Sequence, residues 1–220
     1  RSGGSEESWF NFDKLQKYRK IKNPETHAII RPGTNSFYLL SVDVGRISDQ
    51  TVCCVFRVNV LNGKYYATLV NLFVLGRQAE TKTFYQQAVD LKKIIQDFNP
   101  KEVVIDTNGL GVGLGDEMIR TQYDELGNLL PAYGFINDDN YKKVQPKDAI
   151  CILYGIKANG PLNSKIHGNA YSRLSSGMVR FLIKEQEAKS ALMSTKVGQK
   201  MSTIQRVKRI MPHEMTTKLF

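Results

Sequence analysis

Phe37-Tyr38-Leu39-Leu40-Ser41-Val42-Asp43-Val44-Gly45 and Val103-Val104-Ile105-Asp106-Thr107-Asn108-Gly109 decide the reading of this chain. Each is an apolar run that ends on an aspartate and passes at once into a turn. An apolar strand is stable only when buried, so a carboxylate at its tip stands where the sheet opens to solvent or ligand. Two such tips side by side repel each other unless a cation lies between them, because like charges a few ångströms apart do not both ionise cheaply. A shared divalent metal is the simplest remedy, and carboxylate-held metals at a sheet edge point to phosphoryl chemistry. The competing reading is that each aspartate merely starts a turn by bonding its own backbone.

Between the two runs the pattern is regular. Thr51 to Val60 is a valine-rich strand ending at Asn62-Gly63, a strong hairpin signal, and Lys64 to Leu75 completes an antiparallel meander. Residues 81–98 switch to helical period, with Phe84, Ala88, Leu91, Ile95 and Phe98 on one face, until Asn99-Pro100 stops the helix. A strand at 102–106 follows. Further on, the spacing predicts a helix over 114–123, a short strand over 132–136, a hairpin within the apolar insert 149–156, a helix over 166–174 and a strand over 178–183. Residues 185–220 read as a basic, mostly helical tail. Residues 1–36 read as a linker: Arg1-Ser2-Gly3-Gly4-Ser5 is linker-like, Trp9, Phe10, Phe12 and Leu15 are candidates to dock on the domain, and Pro24, Pro32 and Gly33 break any long element. Three antiparallel strands, a helix, then a strand returning beside the first resembles the ribonuclease H-like pattern. That is an α/β fold with a mixed sheet, three antiparallel strands then parallel ones, flanked by helices. Its first and fourth strands are neighbours, which brings Asp43 and Asp106 within reach of one ion.

At 220 residues and 41% apolar, the chain supports one full core. The formal net charge of +10 favours a polyanionic partner. Cys53, Cys54 and Cys151 show no CxxC spacing. The first two alternate across a strand, and all three are expected to be reduced, buried thiols of a cytosolic protein. No apolar stretch approaches membrane-spanning length and no signal-peptide pattern opens the chain.

The remaining motifs carry less. Asp49, in Arg46-Ile47-Ser48-Asp49-Gln50-Thr51, reads as an outer ligand of the same ion or as a polar residue opening the next strand. The glycines of Gly109-Leu110-Gly111-Val112-Gly113-Leu114-Gly115 fit neither GxGxxG nor a P-loop. They let backbone approach a phosphate at a helix start, or they make a flexible turn. Asn163-Ser164-Lys165 precedes a helix, and Lys165 is a candidate to neutralise a phosphate. Lys142, Lys143, Arg46 and the tail cations form the electrostatic footprint for DNA. His167 and His213 are the candidates for acid–base duty, although His213-Glu214, just after Pro212, reads better as a helix cap.

Ser41-Val42-Asp43-Val44-Gly45-Arg46 with Asp49-Gln50-Thr51, together with Val104-Ile105-Asp106-Thr107-Asn108-Gly109-Leu110-Gly111, resembles the nuclease domain of the large terminase subunit of tailed bacteriophages. Asn163-Ser164-Lys165 resembles the segment between that family's second and third acidic motifs, so the likeness runs from about Phe37 to Ile183. It implies a ribonuclease H-like nuclease domain over 37–220 and, in 1–36, the connector from a packaging ATPase domain of the same polypeptide. It further implies double-stranded concatemeric DNA as substrate, with little sequence preference. Two divalent cations, Mg²⁺ or Mn²⁺, would be held by Asp43 and Asp106. The small terminase subunit and the portal are the implied partners, and the host cytoplasm the setting. The family's third carboxylate sits on a late helix, and its pattern is absent here. Glu185, Glu187 and Glu214 are poorly framed, and a third ligand beyond Phe220, with weak binding of the second metal, is the resulting expectation. Two other readings stay open on the residues alone: a phosphotransferase of the actin and sugar-kinase type, and a non-catalytic DNA-binding module.

Overall fold

The computed structural model describes residues 16–31, 33–45, 50–76, 83–157 and 159–183. Ten strands and four helices follow one another: β1 (Arg19–Ile21), β2 (Ser36–Asp43), β3 (Thr51–Leu61), β4 (Lys64–Leu75), α1 (Phe84–Phe98), β5 (Glu102–Asp106), α2 (Gly111–Met118), β6 (Gln122–Tyr123), β7 (Leu129–Leu130), β8 (Tyr133–Phe135), α3 (Asp139–Val144), β9 (Ile150–Ile156), α4 (Gly160–Ser175) and β10 (Val179–Leu182). Eight strands form one mixed sheet in the order β1-β10-β4-β3-β2-β5-β9-β8, and β6 and β7 form a separate two-stranded pair. The inner order β4-β3-β2-β5-β9 is the ribonuclease H-like arrangement, antiparallel from β4 to β2 and parallel from β2 to β9.

Local chemistry explains the elements. Asn62 and Gly63 both have positive φ, the geometry of the tight hairpin turn that joins β3 to β4. The Thr83 side chain caps α1 by accepting from the Gln86 N–H, and Asn99 closes the helix in the left-handed region just before Pro100. Alternation along the strands builds two cores. Leu39, Val52, Cys54, Val104 and Ile156 pack under α4 through Ile166, Ala170 and Leu174. Leu40, Val42, Cys53, Val103 and Ile105 pack under α1, α2 and Tyr141 of α3. Cys53 and Cys54 therefore lie on opposite faces, as strand geometry requires.

Several expectations are corrected. The insert 149–156 is not a hairpin: it is the single strand β9, parallel to both β5 and β8, with Leu153 and Ile156 buried in the two cores. The second helix begins at Gly111 and ends at Met118, not 114–123, and Gln122–Tyr123 instead joins β6. The helix placed at 166–174 begins at Gly160, with Asn159 as N-cap and a proline in its first turn, so Asn163, Ser164 and Lys165 lie within it rather than before it. Cys151 is exposed, not buried. The lead-in supplies β1, which extends the sheet beside β10. Beyond β1, Glu25 N–H donates to Val70 O at 3.0 Å and Ala28 N–H to Asp97 O at 2.8 Å, so the segment crosses the fold. There Glu25 receives the Tyr38 hydroxyl at 2.5 Å and the Arg57 guanidinium at 2.7 Å. Residues 1–15 and the tail from 184 onward, including the expected docking of Trp9, Phe10, Phe12 and Leu15, lie outside the described residues.

Candidate active site

β2 and β5 are parallel neighbours whose register pairs Leu39 with Glu102, Leu40 with Val103, Ser41 with Val104 and Val42 with Ile105. One residue further, both strands end on an aspartate, Asp43 and Asp106, at the same level and about 4.8 Å apart from strand to strand. Alternation fixes their common side. Leu40 and Val42 face α1, as do Val103 and Ile105, so Asp43 and Asp106 fall on the opposite face, that of Leu39, Val104 and α4. The register partners of the two aspartates are Val52 and Ile156, and both belong to that same α4-side core. Each carboxylate is thus held at the boundary between a packed apolar floor and solvent.

The turns behind the carboxylates are built from the other face. Asp106 accepts the Asn108 N–H on Oδ1 at 2.9 Å, and Thr107 is tied to Ile156 O through both its N–H and its hydroxyl. Gly111 opens α2 directly against the Asp106 carbonyl: a Cβ there would lie 1.7 Å from that oxygen. Close packing therefore accounts for this glycine, as it does for Gly115, whose Cβ would lie 2.5 Å from the Tyr141 hydroxyl. A phosphate cradle is not needed to explain either. Burial, reinforced by the nearby Asp116 charge, pushes the Tyr141 phenol well above its ordinary pKa and keeps it neutral. Its hydroxyl donates to Val112 O at 3.0 Å and locks α3 to α2.

Behind Asp43, the buried Gly45 is bound to two side chains that are fully buried, Thr51 and Gln87. Gly45 N–H donates to Thr51 Oγ1 at 2.9 Å. The Thr51 hydroxyl donates to Gln87 Oε1 at 2.8 Å or to Gly45 O at 2.9 Å, and Gln87 Nε2 donates to Gly45 O at 3.3 Å. Neither residue stands out in sequence-level reasoning about the site, yet the signal was present. Gln87 is a polar side chain on the apolar stripe of α1, between Phe84 and Leu91.

The predicted cations divide between the faces. Lys165 lies exposed on α4, the helix that covers the carboxylate face. Lys142 and Lys143 end α3, which packs on the opposite face through Tyr141, and Lys142 pairs with Asp139 at 3.0 Å. At the tip of β9, Lys157 pairs with Asp138 at 3.0 Å. Burial opposes the charge of Asp138, but Lys157 and the Asn140 and Tyr141 N–H groups outweigh it and hold that carboxyl below its ordinary pKa. His167 sits on α4. Arg46 and Asp49, and with them Glu185, Glu187, His213 and Glu214, lie outside the described residues.

Among the described residues no group of three or more His, Cys, Asp and Glu side chains gathers to hold a metal ion. What they supply is a pair of carboxylates. That donor set suits a hard cation such as Mg²⁺, which is commonly held by one or two carboxylates and completes its shell with water and phosphate oxygens.

No protein-family model and no curated protein matches the sequence. Among solved structures, the chain is similar to the large terminase nuclease from thermophilic phage G20c with bound zinc. The identity is 13%, the TM-score 0.50, and the match covers 88% of this chain and 93% of that one. It is also similar, at a TM-score of 0.45 and 15% identity, to the large terminase from thermophilic bacteriophage D6E, over 90% of this chain and 42% of that one. The human cytomegalovirus terminase nuclease domain, Mn soaked and inhibitor bound, matches at a TM-score of 0.41 and 10% identity, over 91% of this chain and 88% of that one. The fold is shared with the large terminase nuclease.

Proposed function

We propose that this chain is a metal-dependent endodeoxyribonuclease that cuts double-stranded DNA as part of a viral packaging terminase. The observation that carries the reading is the β2–β5 register, which ends two neighbouring parallel strands on Asp43 and Asp106 with both side chains on one face. Side-by-side carboxylates at a sheet edge are costly without a cation, and the phage G20c large terminase nuclease, which shares the fold, has zinc bound.

In this reading Asp43 and Asp106 hold divalent cations, Mg²⁺ or Mn²⁺, through their carboxylate oxygens. Bound there, such an ion supplies Lewis acidity toward a phosphodiester and lowers the pKa of an attacking water. The chain's own groups do the rest. The Asn108 N–H orients the Asp106 carboxylate, and Lys165, exposed on the helix covering the same face, is assigned to a DNA phosphate. A net charge of +10 grips the backbone without reading bases, so cleavage shows little sequence preference and falls steeply with salt. The packaging ATPase domain of the same polypeptide, the small terminase subunit and the portal are the proposed partners, and the host cytoplasm the place of action. Among the described residues no helix is long and apolar enough to cross a membrane.

The test is plasmid nicking in Mn²⁺ with Asp43→Asn and Asp106→Asn variants. Wild type nicks and is stopped by EDTA, and each variant is inactive while keeping its salt-sensitive DNA binding. Nicking that survives Asp43→Asn overturns the assignment. DNA binding indifferent to EDTA with no nicking by wild type favours a non-catalytic binding module instead.

A further inference from the structure

We propose that Thr51 and Gln87 are positioning residues for the Asp43 carboxylate, acting through Gly45 and setting the affinity of the site for its cation. The inference rests on the reading that Asp43 and Asp106 hold a divalent metal. Three features single these residues out. Both side chains are fully buried, so their polar atoms had to be matched inside the fold. Among the described residues, the hydrogen bonds of these two side chains end on each other or on Gly45, two residues past Asp43. The two come from different elements, Thr51 from the start of β3 and Gln87 from the first turn of α1, so the turn is referenced to the sheet and to a helix at once.

The geometry explains why the turn needs such a hold. Asp43 closes β2 opposite Val52, the last pair of that ladder, and Gly45 lies past its end. Without a side-chain partner, the Gly45 N–H and carbonyl would be buried and unmatched. With the threonine–glutamine pair, the N–H passes to Thr51, the Thr51 hydroxyl passes to Gln87, and the Gln87 amide returns to the Gly45 carbonyl. The ring is closed and leaves no polar atom over. It grips the backbone from the α1 face while the Asp43 side chain emerges on the α4 face, so it steers the carboxylate without touching anything bound there. Groups that orient a metal ligand typically change metal affinity by about 10- to 100-fold when removed.

The experiment measures Mn²⁺ binding to the full chain directly, by electron paramagnetic resonance of free Mn²⁺, beside thermal denaturation and the Mn²⁺ dependence of plasmid nicking. Thr51→Val keeps the shape and removes the hydroxyl, Gln87→Met does the same for the amide, and Thr51→Ser restores the hydroxyl. The first two are expected to weaken Mn²⁺ binding about tenfold, with nicking recovering at saturating Mn²⁺, whereas Thr51→Ser stays within about twofold of wild type. If Thr51→Val does not fold, Gln87→Met decides. A folded Thr51→Val or Gln87→Met that binds Mn²⁺ as wild type does overturns the proposal and leaves the nuclease reading standing. Wild-type chain that binds no Mn²⁺, or binds it equally after Asp43→Asn, overturns the underlying reading and this proposal with it.

Discussion

Replacing Gly111 by alanine probes the joint between the site and its supporting helix. The new Cβ would sit 1.7 Å from the Asp106 carbonyl oxygen and 2.7 Å from its carbon, both backbone atoms that cannot rotate away. To reach even 3.0 Å from that oxygen, the tightest approach that Cβ atoms show, α2 and β5 must separate by about 1.3 Å. Packed interiors resist this, and overpacking of that kind costs about 2–3 kcal/mol. For a chain of this size the cost lowers Tm by about 5–10 °C. Gly168 is the matched control: it lies in the interior of α4, and a Cβ there meets nothing within 4 Å. Alanine at 168 removes the glycine's extra unfolded-state freedom and is expected to stabilise by about 0.5–1 kcal/mol. One substitution at two helical glycines should therefore shift Tm in opposite directions, read by circular dichroism melts in the same buffer. A Gly111→Ala protein that melts within about 1 °C of wild type, or two variants that shift alike, refutes the claim that α2 is seated on the Asp106 backbone.

Two further predictions concern buried polar groups away from the carboxylates. Tyr38→Phe removes the hydroxyl that donates to Glu25 and accepts the Ile29 N–H at 3.0 Å, and should cost about 1–2 kcal/mol in denaturant melts while opening residues 22–31 to limited proteolysis. Unchanged stability and proteolysis would mean that this lead-in is not held by Tyr38. Lys92 is fully buried, donates its amine to Arg120 O, and is brought by burial from 10.5 down to about 8, against the opposing pull of Glu117. Between about 8 and 10.5 the unfolded chain keeps a proton that the folded chain has lost, so folding stability gains as pH rises through that window. The stability of wild type minus that of Lys92→Met should climb over that range and stay flat below about pH 7, and a difference that is flat throughout removes the assignment.

The parts of the fold that were legible are those where one local rule acts alone. Asn62-Gly63 specifies its turn by backbone conformation, and α1 shows its period because one face is buried and the other wet. The Asp43–Asp106 pairing was legible because two buried strands end on the same charged residue. Elsewhere tertiary context decided. β9 is apolar because it lies between β5 and β8, and an apolar run of seven residues looks the same whether it folds back or runs straight. Glycines at 111, 113 and 115 read as a phosphate approach at a helix start or as a flexible turn, whereas close packing against Asp106, Phe84 and Tyr141 is what calls for them. Gly160-Pro161 hid the first turn of α4, since proline at a helix start reads as a breaker until its position is known. At the site, the carboxylates announced themselves, whereas Thr51 and Gln87 did not: their importance lies in whom they touch, which no spacing reveals.

The seam between β1, β10 and β4 dictates an order of events during synthesis. Val179 of β10 pairs with Ala67 of β4, more than a hundred residues earlier, and the Tyr18 hydroxyl reaches the Ser175 carbonyl from farther still. The hairpin β3–β4 and the β2–β5 centre can assemble while the ribosome is still adding residues, but the outer side of β4 at Ala67 and Thr68 lacks its strand partner until β10 emerges. An unpaired strand edge is a template for any other extended chain nearby. Nascent copies on neighbouring ribosomes are thus exposed to cross-pairing at β4 for that interval, and a chain released before Val179 keeps the hazard permanently.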